Sequence, residues 1–157
     1  MLRFRIAVAL ACATLAACAP TATTAAKADA KAAVPLTIKT ATGERHFLVE
    51  VARTFEEQER GLMFRTSLPP QGGMIFPMVP NRVATFWMKN TLIQLDMIFI
   101  RADGTIARIA TAQPETLDTV DSGEPVAAVL EIVGGGAAKA GIAEGDRVIW
   151  ADPARHH

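Results

Sequence analysis

Between Phe86 and Ile100 the chain runs F-W-M-K-N-T-L-I-Q-L-D-M-I-F-I, and no other stretch constrains the fold as strongly. Three aromatics, two methionines and five aliphatics crowd around Lys89, Asn90 and Asp96, with Gln94 between them. From Leu92 onward one parity reads Ile93, Leu95, Met97, Phe99 and is wholly apolar. The other reads Leu92, Gln94, Asp96, Ile98, Ile100 and is polar only in its middle. Side chains alternate across a strand with period two, so this pattern describes a strand buried on one face and mostly buried on the other. Asp96 within it must meet a cation or hydrogen-bond donors. An unpaired carboxylate taken out of water costs several kcal/mol or takes up a proton.

The N-terminus reads as an address rather than as fold. Arg3 and Arg5 precede a short apolar run from Ile6 to Thr14, too short to span a bilayer. Leu15-Ala16-Ala17-Cys18 follows and resembles the lipobox of bacterial lipoproteins. That resemblance implies a signal peptide over 1–17, a lipid on Cys18 and, with Ala19 after the cysteine, the periplasmic face of the outer membrane. An ordinary secretory signal and a soluble periplasmic product are the alternative. Cys12 lies in the signal, so the mature chain holds no free thiol or disulfide and cysteine catalysis is excluded. Residues 18–34, rich in Ala, Thr and Lys, read as a flexible tether, residues 35–151 as one globular domain and residues 152–157 as a tail. With 16 basic against 16 acidic residues, nothing steers the chain toward nucleic acid.

Local signals then divide the domain. Leu36 to Lys39 and His46 to Ala52 alternate around a Thr42-Gly43 turn and predict a hairpin. Thr54 and Glu57 form a capping-box pattern for a short helix from Phe55 to Arg60, ended by Gly61. Met74-Ile75-Phe76 reads as a short strand broken by Pro77 to Asn81. Lys89-Asn90-Thr91 reads as a turn pairing Val83 to Met88 with Leu92 to Ile100, and Ala102-Asp103-Gly104 as the next hairpin turn. Gln113 to Gly123 is a polar loop, Pro125 to Val133 a buried strand carrying Glu131, and a helical turn near Ala137 precedes a last strand. About seven strands with short connections and two short helices predict an α+β domain with mainly antiparallel strands.

E-R-G-L-M-F-R at Glu59 to Arg65, G-G-M-I-F at Gly72 to Phe76, F-W-M-K-N-T at Phe86 to Thr91, L-D-M-I-F-I at Leu95 to Ile100, V-L-E-I at Val129 to Ile132 and A-G-I-A-E-G-D-R-V at Ala140 to Val148 together resemble the domain-of-unknown-function 192 family. The resemblance covers Pro35 to Ala151 and implies a small barrel-like fold, often exported, with no catalytic residues to carry over. Gln94 stands where that family usually shows proline. Separately, Ala137 to Ile149 is similar to the helix, turn and strand of PDZ domains, which capture peptide carboxylates in a glycine loop.

Arg65, Trp87, Lys89, Asn90 and Asp96 are the candidate binding residues, as a small polar pocket with an aromatic wall. Asp96 is equally a structural group that fixes its strand, and Asn90 a turn residue in a left-handed backbone. Met63, Met74, Met78, Met88 and Met97 have the softness to hold Cu(I), yet fit as core filler; no metal or cofactor is expected. Two function classes stay open. One is a lipid-anchored binding or accessory module for a small ligand or envelope protein, with PDZ-like peptide binding as a variant. The other is an enzyme using Asp96 or Glu131 with Lys89 as acid and base.

Overall fold

In a computed structural model, residues 33–151 are described. The signal segment, Cys18, nearly all of the tether and the tail at 152–157 lie outside them. The elements in chain order are β1 Val34–Thr40, β2 Gly43–Val51, α1 Phe55–Arg60, β3 Gly72–Phe86, β4 Leu95–Ile100, β5 Ile106–Ala112, β6 Val120–Val133, α2 Gly136–Ala140 and β7 Arg147–Trp150. The fold is an α+β, barrel-like domain of two short helices and a curled, mostly antiparallel sheet, as the sequence predicts. Strand order is β5-β4-β6-β3-β2-β1-β7, and only β2 and β3 run parallel. The two ends of the sheet meet where Ile106 N–H donates to Asp146 O (2.8 Å) and Val148 N–H to Gly104 O (2.8 Å).

The predicted β1–β2 hairpin turns at Thr42-Gly43 and puts Phe47, Val49 and Val51 inside the curl. Ile75, Ile98, Ile100, Leu130 and Ile132 join them in the inner core. The opposite face of the same central strands is also apolar. Met74, Phe76, Leu95, Met97, Phe99 and Val129 form an outer core beneath Leu62 and Met88. Gly73 lets β3 lie close against β6, because a Cβ there would stand 2.3 Å from the Glu131 carbonyl oxygen.

Two expectations about strand pairing are corrected. The Lys89-Asn90-Thr91 turn exists, with Thr91 N–H donating to Met88 O (3.0 Å), but it does not join a hairpin. β6 inserts between β3 and β4 and pairs with both. The turn residues spend their hydrogen bonds on neighbouring loops instead of a ladder. Likewise Pro77 to Asn81 does not end the strand. It is a bulge within β3, where five steps from Pro77 to Arg82 face two from Ala128 to Val126. Beyond it, Arg82 to Phe86 pairs with Val120 to Val126, so part of the supposed loop 113–123 is strand. Phe76 and Phe86, ten residues apart on β3, meet edge to face at 5.2 Å. A straight strand would hold them about 33 Å apart, so this ribbon bends back over the outer core.

Asp96, on the inner parity of β4, is 1% exposed. Its carboxylate accepts hydrogen bonds from Thr111 Oγ1 (2.7 Å), Gly135 N–H (3.0 Å) and Ala137 N–H (2.9 Å). It therefore meets donors rather than a cation, and it pins α2 and the glycine turn to the sheet. Asp96→Ala strips two backbone N–H groups of their acceptor and is expected to cost about 3 kcal/mol. Lys89→Ala removes an exposed cation and is expected to cost under about 1 kcal/mol. Urea unfolding of both variants and the double variant should give additive losses; a strong coupling between the two positions would contradict this assignment.

Candidate functional site

Asp96 and Glu131 look alike in sequence, each a single carboxylate in an apolar run, but parity separates their fates. Glu131 on β6 lies directly opposite Met74 of β3 and Met97 of β4, on the outer face. Its side chain is 4% exposed, and no hydrogen-bond or ion-pair partner reaches it among the described residues. Burial alone lifts its pKa from the ordinary 4.5 to about 8, because nothing nearby stabilises the charged form. At neutral pH it is a carboxylic acid.

Glu131 opens on a pocket of about 280 Å³ between α1, the turn after it and the returning half of β3. Leu62, Met63, Met78, Phe86 and Trp87 supply apolar wall, and Gln58, Arg60 and Arg82 supply polar rim. The wall next to α1 is set by sequence-local chemistry. The predicted capping box forms, with Thr54 Oγ1 accepting from Glu57 N–H and the Glu57 carboxylate accepting from Thr54 N–H. Gln58 anchors the helix by donating to Ala52 O (3.2 Å) and Pro77 O (2.9 Å).

Three loops are clasped beside this pocket at backbone positions that only strain explains. Phe64 (φ 63), Asn90 (φ 56) and Glu115 (φ 57) are the non-glycine residues with positive φ among those described. Phe64 N–H donates to Asn90 O (2.8 Å), Glu115 N–H to Thr91 O (3.0 Å) and Met88 N–H to Thr116 O (3.1 Å). For Phe64 and Glu115 this conformation costs about 1–2 kcal/mol each, while Asn90 enters it readily. Such strain gathers where a loop must hold a particular geometry.

The structure brings together only part of the predicted site. Trp87 lines the pocket, with the Lys89 ammonium 5.1 Å from its ring centre. Asn90 takes the left-handed turn position and directs Nδ2 toward Met63 Sδ (4.0 Å). Arg65 instead forms a bidentate pair with Glu50 (2.6 and 2.7 Å). Asp96 faces the inner core. Gln58, Arg60, Arg82 and Phe86 were not singled out by sequence reasoning; the capping box placing Gln58 and Arg60 on one short helix was the available signal.

A larger cavity of about 500 Å³ runs past the Gly134-Gly135-Gly136 turn and Arg45. Several of its polar groups are engaged internally. Gly134 N–H donates to Gln94 O (2.8 Å), Gly135 and Ala137 N–H to Asp96, and Arg45 to Ala140 O (2.7 Å) and Thr42 Oγ1 (2.7 Å). A peptide carboxylate captured there in the PDZ manner would have to displace Asp96. No cluster of three or more His, Cys, Asp or Glu with metal-binding geometry occurs among the described residues.

Glu131 gives stability a definite pH dependence. Its folded-state pKa lies above its unfolded one, so its penalty is absent below about pH 4.5, grows as pH rises toward about 8, and then levels off. The full loss is on the order of 5 kcal/mol. Glu131→Gln, which cannot ionise, is expected to match the wild type near pH 4 and to melt at higher temperature at pH 8.5. Parallel melting curves across that range would contradict the assignment.

The described fold has solved counterparts. A protein of unknown function from Novosphingobium aromaticivorans DSM 12444 is 47% identical, with a TM-score of 0.74, over 75% of this chain and 85% of its own. A Sinorhizobium meliloti 1021 protein, described as a candidate transcription regulator, is 39% identical, also with a TM-score of 0.74, over 76% of this chain and 95% of its own. No curated protein sequence matches the chain. The family described as Uncharacterized ACR, COG1430, or DUF192, matches residues 37–150, the span holding the pocket, the clasped loops and all of the core but Val34 and Leu36, and the chain belongs to that family.

Proposed function

We propose that this protein is a small-ligand-binding module of the cell envelope, held at the membrane by a lipid on Cys18, with the Glu131 pocket as its binding site. The carrying observation is Glu131 itself. A carboxyl only 4% exposed and without a hydrogen-bond partner among the described residues is costly to keep, and it lines a pocket. Ligand pockets typically hold about 300–1,000 Å³, so a space of about 280 Å³ suits a small molecule with an apolar body. The strained clasp around Lys89-Asn90-Thr91 keeps the Trp87 wall in place beside it.

An acid–base role for Glu131 draws support from its pKa of about 8, close to working pH. Binding is the better reading, because Lys89, the partner such chemistry would enlist, sits on Trp87 rather than among the residues lining the pocket. The regulator description of the S. meliloti relative is not carried over. With 16 basic and 16 acidic residues the chain has no net charge to draw it to DNA.

Screening a small-fragment library by ¹H–¹⁵N spectra tests the site. Shifts are expected to gather at the Trp87 indole, Gln58 to Met63 and Arg82 to Phe86. Hits confined to the Gly134 to Lys139 surface would contradict the proposal. Anchoring is tested by fractionation: the native protein should partition into membranes and Cys18→Ser should not. A wild-type protein in the soluble periplasm with another N-terminal residue would refute the anchor.

A further inference from the structure

The charged residues lining the pocket include two guanidiniums that no carboxylate among the described residues neutralises. Arg65, Arg101 and Arg108 each have a carboxylate within 4.0 Å. Arg60 and Arg82, which both line the pocket, have none among the described residues. Arg82 Nη2 reaches only the neutral Gln58 Oε1, at 3.4 Å, and Gln58 is itself held by two backbone carbonyls. Two guanidiniums thus frame one opening without being neutralised.

We infer that the Glu131 pocket takes a small amphipathic anion, its apolar body against Leu62, Met78 and Phe86, its anionic group at Arg82 and Arg60. The inference rests on the small-ligand reading above and adds the chemical class. Glu59 is the other carboxylate in the lining. With Glu131 protonated, one negative charge faces two positive ones, and the pocket is net cationic although its floor is an acid. An anion meets guanidiniums suited to bidentate pairing, and a protonated floor does not repel it. An ammonium ligand would have to pass both guanidiniums and then displace a proton from Glu131 to gain a partner. Phe55, 76% exposed, and Trp87, 46% exposed, add apolar surface to the lining.

Three probes sharing one body test the class: 4-phenylbutyrate, 4-phenylbutan-1-ol and 4-phenylbutylamine, titrated into the full-length protein at about pH 6.5 and followed by the same amide and indole signals. The carboxylate is expected to bind at least about tenfold more tightly than the alcohol, with the amine weakest. Arg82→Gln should remove most of the carboxylate's advantage over the alcohol. Arg60→Gln, at a residue with no side-chain hydrogen bond to Gln58, should act in the same direction and guards against a local rearrangement at Arg82. Equal binding of carboxylate and alcohol, or tighter binding of the amine, overturns the anion class and leaves the pocket reading intact. If none of the three binds while library fragments still occupy the pocket, the class is again overturned; if fragments fail there too, the pocket reading falls with it.

Discussion

The central strands β3, β6 and β4 are apolar on both faces, and each face needs its own cover. Curling the sheet supplies one cover, since β1, β2 and β7 wrap round to close over Ile75, Ile98, Leu130 and Ile132. The other face has no second sheet. It is roofed by the turn after α1, by the loop around Met88 and by the ribbon of β3 and β6 that bends back at the 78–81 bulge. A roof assembled from separate pieces leaves a seam, and the pocket is that seam. Glu131 stands beneath it because β6 is central and its outer parity passes directly under the opening.

The pieces of roof are joined by backbone hydrogen bonds rather than by ion pairs, and those bonds require left-handed residues at Phe64, Asn90 and Glu115. A seam that served only packing could relax that strain by substituting glycine, which enters this conformation without steric cost. Phe64 and Asn90 instead flank the aromatic wall, and Lys89 is left to cover Trp87. On the opposite side of the sheet, Asp96 shows what a buried carboxylate looks like when its role is structural: three donors converge on it. Glu131 has none, and this contrast within one molecule is the reason to assign it to a ligand.

Much of the local structure was legible in the residues. Alternation gave the first hairpin, Thr54 and Glu57 gave the capped helix, and the demand that Asp96 find donors was met. Strand order was not legible. A turn at Lys89-Asn90-Thr91 is the same whether its flanks pair with each other or with β6, because the deciding partner lies some forty residues downstream. Val120 to Gly123 of β6 read as loop because this ribbon is exposed on one side, and burial is what marks a strand in sequence. For the site, F-W-M-K-N-T drew attention to Trp87, Lys89 and Asn90, which do lie together. Arg65 and Asp96 were grouped with them by chemistry alone, and Glu50 and the α2 amides are nearer claimants. Glu131 and Asp96 could not be ranked until register showed which face each takes.

The role of the pocket depends on Glu131 being a neutral acid at physiological pH, held so by burial without a partner among the described residues. Its carboxyl carbon, followed by ¹³C NMR in selectively labelled protein from about pH 4 to 10 and assigned with Glu131→Gln, reports this directly. The expected result is a single transition near pH 8. A midpoint near 4.5 would show a carboxylate already solvated or paired, and would contradict the account.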